Sequence, residues 1–196
     1  KEFLIRDCVF ENGDADFGGA MTNYGANTSG AIINCEFREN NAGTSGGAII
    51  NGFKSLVVID SCTFDQNVAR FGGAIYNQND TTNVTINNSD FIANSAEFGG
   101  AIYRSSGLTM AIDHCSFEGN VANDGGDGGS GGAILSFDNS ATENLGSLSI
   151  ANSFFDLNFA NAQGGAIDLN DTETSIVSSV FANNSALNGA GGAIIN

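Results

Sequence analysis

The side chains with chemistry to offer are four cysteines, one histidine and 22 carboxylates. Cys8, Cys35, Cys62 and Cys115 each stand two residues before a phenylalanine, and Ser89, Ser153 and Ser179 fill the same place elsewhere. Buried free thiols alternating with serine are the expectation, because cysteine is among the most buried residue types. A disulfide between neighbours in this row, Cys8 with Cys35 or Cys35 with Cys62, is also open to it if the two sit in adjacent layers. The only histidine, His114, precedes Cys115 and so points the other way, which argues against a metal centre. It shares its column with Asp7, Asn34, Ser61, Asn88, Asn152 and Ser178, a polar corner, and no nucleophile with a third orienting group accompanies it.

Two groups of carboxylates stand out. Glu11, Glu36, Asp65, Asp90, Glu118 and Asp156, with Arg38 among them, flank the recurring phenylalanines as an acidic stripe. A solvated face is the plain reading, and a held divalent cation or carbohydrate the functional one. Asp124, Asp127, Asp138 and Glu143 lie in two insertions, 123–130 and 137–146, and are the candidate Ca²⁺ ligands, although Gly-Gly-Asp-Gly-Gly-Ser does not match the nonapeptide calcium repeat. Polysaccharide cleavage would need a basic residue beside calcium-binding acids, or two carboxylates about 5–9.5 Å apart across a cleft. The six basic residues, Lys1, Arg6, Arg38, Lys54, Arg70 and Arg104, are scattered over different columns, and repeat geometry alone brings Asp65 towards Asp90. No catalytic residue and no metal ligand is assigned from the sequence, and the binding residues stay open.

Charge narrows the partners. A net charge of −16 repels phosphate backbones and anionic lipid, so nucleic acid is not an expected partner. No run of apolar residues is long enough to insert in a membrane, and Lys1 to Phe10 lacks the sections of a signal peptide. Six Asn-x-Ser/Thr sequons, at Asn27, Asn79, Asn83, Asn87, Asn170 and Asn183, matter only for a secreted eukaryotic chain. There, loop positions such as Asn79 and Asn170 would carry the glycans.

The elements that position these residues come from a repeat. Phenylalanine recurs at 10, 37, 64, 91, 117, 155 and 181, with spacings of 27, 27, 27, 26, 38 and 26. Gly-Gly-Ala followed by Ile or Met recurs in step, starting at Gly18, Gly46, Gly72, Gly99, Gly131, Gly164 and Gly191. The unit is whole at Ile59, Cys62, Phe64, Asn67, Ala69 and Gly72 to Asn77. Apolar residues alternate before it, as in Val84 with Ile86, which is the period of a half-buried strand. The expected fold is therefore all-β: a single right-handed parallel β-helix over residues 1–196, about seven coils of roughly 27 residues, reading as an uncapped stretch of a longer solenoid.

Stacking turns each repeat position into a row about 4.8 Å per step. Ile, Cys/Ser, Phe and an Asn row (Asn40, Asn67, Asn94, Asn120, Asn158, Asn184) are expected inside, with the amides passing hydrogen bonds between coils. Parity along Gly-Gly-Ala-Ile puts Ile inward. It leaves Ala and the variable position after Ile (Thr22, Ile50, Tyr76, Tyr103, Leu135, Asp168, Ile195) outward. An outward Ala would be kept small either by a loop folding over it or by a flat face for another β-helix.

Phe-x-x-Asn paired with Gly-Gly-Ala-Ile, as in Phe64 to Asn67 with Gly72 to Ile75, resembles the repeats of the chlamydial polymorphic outer membrane proteins over nearly the whole chain. Gly13 departs from the motif Asn, and Arg104, Ser136 and Leu169 from the later strand Asn. The resemblance implies an autotransporter-type adhesin passenger displayed on the cell surface or secreted. The expected role is a non-enzymatic adhesion or structural spine segment. Its partner would be a cell-surface protein or glycan, or another β-helix in lateral self-association. An extracellular filament or sheath, and a polysaccharide lyase or glycoside hydrolase, are the alternatives. The fifth unit, with its two insertions flanking one strand, is the expected place of specificity.

Overall fold

The computed structural model describes every residue except 26–27, 53–54, 79–82, 106–107, 124, 126–127, 138–145 and 171. Among the described residues every regular element is a β-strand, and most strands fall into three parallel sheets of seven. One coil shows the course: Leu56–Asp60 lies in the first sheet, Thr63–Asp65 in the second and Ile75–Asn77 in the third. Between second and third sheets a short corner strand pairs with its neighbours, as Ser95–Ala96 does with Val121–Ala122. The register follows the repeat. Ile59 faces Ile32 and Ile86, and Phe64 faces Phe37 and Phe91. Even across the longest spacing Phe117 faces Phe155, so the register is kept through that longer unit.

The rows inside are those the sequence predicts. Phenylalanines 10, 37, 64, 91, 117, 155 and 181 form one stack, with centroids 4.6–4.9 Å apart and planes within 2–7°. Each buried ring contributes roughly 1.5–3 kcal/mol. The Asn row lies one turn on, where Asn67 Nδ2 donates both to the Phe37 carbonyl (3.0 Å) and to Asn94 Oδ1 (2.9 Å), while the Asn67 backbone N–H donates to the same Oδ1 (3.0 Å). That pattern repeats from Asn40 to Asn158. It satisfies polar groups that a dry interior would otherwise leave unpaired. Gly13, the exception, offers its backbone N–H to Asn40 Oδ1.

Parity fails at Gly-Gly-Ala-Ile. Ala48, Ala74, Ala101, Ala133 and Ala166 are fully buried in the same core as the isoleucines that follow them. The reason is backbone geometry. Gly72 takes φ +64°, and the N–H groups of Ala74 and Ile75 both point to the carbonyl of Ala101, so strand alternation begins only at Ile75. The second glycine is small for a different reason: a Cβ on Gly73 would meet the Gly100 carbonyl oxygen at 2.1 Å and the Ser95 backbone at 2.7 Å. The Gly-Ala column is thus an interior contact between coils and not a lateral packing face.

A second inner ladder was not foreseen. Asn51 Nδ2 donates to Asn77 Oδ1 (3.0 Å), and Asn23 reaches Asn51 at 3.4 Å. The next residue in that column is Arg104, fully buried, whose guanidinium donates to Ser136 Oγ (3.0 Å), Thr172 Oγ1 (3.2 Å) and the Leu108 carbonyl.

Candidate functional site

The residues singled out for chemistry separate rather than converge. All four cysteines are free; Cys35, Cys62 and Cys115 are buried and Cys8 is exposed. Each buried thiol points at the carbonyl two residues back, and burial pushes the Cys62 and Cys115 thiols up to about 11, so at neutral pH they are protonated and inert. The polar corner is a column of left-handed residues, from Asp7 at φ 57° to Ser178 at φ 51°, where Asn and Asp are favoured. His114 stands there in solvent, its Nδ1 3.0 Å from Asp113 Oδ1. An amide hydrogen bond from Asn152 and then His114 itself hold the Asp113 carboxyl below its usual range.

The acidic stripe proves to be two columns on either side of the phenylalanine stack, with Glu36, Thr63 and Asp90 on one side and Glu11, Arg38 and Asp65 on the other. Asp65 and Asp90 therefore do not share a column. Many of the surface acids are engaged between coils: Arg38 Nε donates to Glu11 Oε2 (2.7 Å), and asparagine amides donate to Asp7, Asp14, Asp60, Asp113 and Asp156 at 2.7–2.9 Å. Of the calcium candidates, Asp124, Asp127, Asp138 and Glu143 all lie outside the described residues. Among those that are described, no three His, Cys, Asp or Glu side chains gather as a metal site, and no helix is long and apolar enough to cross a membrane. Sequon residues Asn83, Asn170 and Asn183 are exposed and Asn87 is half-buried, while Asn27 and Asn79 lie outside the described residues.

What the structure does bring together is the outer face of the third sheet. The residue just before each Gly-Gly stacks into a column of its own, running Phe17, Ser45, Phe71, Phe98 and Ser130. Because the left-handed first glycine turns the chain back, this residue lies near the variable position five residues on. Thr22 Oγ1 donates to the Phe17 carbonyl (3.1 Å), Phe71 meets Tyr76 (6.4 Å) and Tyr103 (5.4 Å, edge-on), and Gln163 Nε2 donates to Asp168 Oδ2 (3.3 Å). The expected loop cover exists, but it shields the variable position instead of the alanine.

Along the axis the strip changes chemistry. Ile50 is buried, Tyr76 and Tyr103 sit half-buried with ring centroids 5.3 Å apart, Leu135 is buried, and Asp168 is only 4% exposed. Burial raises the Tyr103 phenol to about 12, which keeps it a neutral hydrogen-bonding group. Burial also raises the Asp168 carboxyl, partly offset by hydrogen bonds from Gln163 and from Ser130 of the fifth-unit insertion. The sequence carries the signal in the pairs Phe71/Tyr76, Phe98/Tyr103 and Gln163/Asp168, each five residues apart.

This stacked architecture agrees with comparison: the family described as right handed beta helix region matches residues 1–145. The chain belongs to the right-handed β-helix family. Comparisons with curated proteins and with solved structures each find no match. For a right-handed β-helix the inner rows hold the fold, and chemistry specific to this chain has to come from outward columns and turns. In this β-helix the third sheet's outer strip is one such column pair, changing from aliphatic to aromatic to carboxylate.

Proposed function

We propose that this β-helix is a non-enzymatic binding and structural spine of a larger protein displayed on a cell surface or secreted. This is the role that the likeness to chlamydial polymorphic outer membrane protein repeats implies. The observation that carries the reading is the outer strip of the third sheet. Its paired positions vary from aliphatic to aromatic to carboxylate while the Gly-Gly-Ala segments beneath them repeat. Recognition built this way is a rigid ladder with exchangeable rungs. The acids clasped by asparagine and arginine in neighbouring coils support it, since those carboxylates serve cohesion between layers.

Beads coated with the chain should adhere to a cell layer or to an immobilised matrix protein or glycan. Adhesion should fall when Tyr76 and Tyr103 are both changed to Ala, with the melting temperature retained. Release of oligosaccharide from any polysaccharide, abolished by one carboxylate substitution, would overturn the reading.

Polysaccharide cleavage has one observation in its favour. Asp168 is a buried outward carboxyl whose proton is held above the ordinary range, the state required of a general acid. If that reading is right, Asp168→Asn should remove a turnover that the parent chain displays.

A further inference from the structure

We infer that the aromatic stretch of this strip docks an arginine-bearing peptide segment of the partner, an inference that rests on the binding role proposed above and names the partner's chemistry. The molecule contains its own template for the contact. Arg70 Cζ lies 5.0 Å from the centroid of the Phe71 ring, and its Nε donates to Glu97 Oε2 at 2.7 Å. A guanidinium therefore rests over a ring with a carboxylate beside it, the geometry in which cation–π attraction and a charge-assisted hydrogen bond act together.

One coil further along the ring recurs without a cation of its own, and the carboxylate beside it is the same Glu97 whose Oε2 receives Arg70 Nε. Phe98 stacks on Phe71 at 5.6 Å and 14°, but the residue before it is Glu97 where the earlier coil has Arg70. Tyr103, edge-on to Phe71 and 5.3 Å from Tyr76, widens the aromatic surface, and its phenol adds a neutral hydrogen-bonding group. Among the described residues, a planar cation lies over the Phe71 ring and none over Phe98.

Whole-molecule charge selects the same partner. At −16 the chain draws basic segments and repels acidic ones, whereas a neutral glycan gains nothing from that field. Arginine is favoured over lysine because its flat guanidinium can lie on a ring while its N–H fork meets a carboxylate, which a compact ammonium cannot do.

The test separates this contact from diffuse attraction. Fluorescent peptides of alternating Gly and Arg, and of alternating Gly and Lys at equal length, are titrated with the chain at about 0.15 M salt, where long-range fields are damped. The arginine peptide should bind about tenfold more tightly than the lysine peptide. Phe98→Ala with Tyr103→Ala, and separately Glu97→Gln, should erase that preference; these side chains stand outside the core, and a retained melting temperature verifies the fold. Glu118→Gln with Asp156→Asn, on the second sheet, should weaken both peptides alike and leave the preference intact. Equal affinity for the two peptides, or a preference that survives the aromatic substitutions, overturns the inference. So does displacement of the arginine peptide by a neutral oligosaccharide. If bead adhesion persists and needs Tyr76 and Tyr103 while neither peptide binds, the partner's chemistry is wrong and the binding role stands.

Discussion

Asn94 shows how much one side chain can carry when it is stacked. Its Oδ1 accepts from the backbone and the side chain of Asn67, and its Nδ2 donates to the Phe64 carbonyl and to Asn120 Oδ1, all between 2.9 and 3.0 Å. Asn94→Ala takes partners from Asn67 and Phe64 in one neighbouring coil and from Asn120 in the other, so it should lower unfolding free energy by about 2–4 kcal/mol in a urea titration. Asp168 has the opposite character. Its folded pKa lies above the ordinary 3.8, so its favourable contribution is complete below that value and is lost as pH rises through the folded pKa. Asp168→Asn, which removes the buried charge and keeps an acceptor for Gln163, should therefore melt higher than the parent at neutral pH. The gap should close on acidification, as thermal melts between about pH 8 and about pH 4 would register.

At the scale of the element, the Gly-Gly-Ala-Ile segment decides how closely coils approach. A methyl on Gly73 would be driven into the Gly100 carbonyl and the Ser95 backbone, neither of which can turn aside as a side chain would. Gly73→Ala should therefore cost more than its small volume suggests, roughly 3 kcal/mol or more in the same urea titration, by separating neighbouring coils. The motif itself was legible in the sequence, but its orientation was not. Alternation reads Ala as outward, and the left-handed glycine ahead of it cancels that alternation, placing Ala74 beside Ile75 in the core. The same turn-back creates the outer strip, because it brings Phe71 over Tyr76 and Gln163 onto Asp168.

For the whole molecule, the two insertions of the fifth unit are where a ligand-dependent change in stability would originate. If 123–130 and 137–146 hold calcium through Asp124, Asp127, Asp138 and Glu143, adding Ca²⁺ should raise the melting temperature and a chelator should reverse it; a melt insensitive to both removes the idea. The sequence by itself determined the fold class, the repeat period and the Phe, Cys/Ser and Asn rows. A parallel stack copies each position directly above itself, and period and side-chain type then suffice to name a row. The tertiary structure alone decided the rest: the inner place of Ala and of Arg104, the free state of the stacked thiols, and the pairing of the pre-glycine column with the variable column. Those depend on how the chain bends between strands, and a left-handed glycine or a shared carbonyl changes which way a side chain faces while leaving the spacing in the sequence untouched.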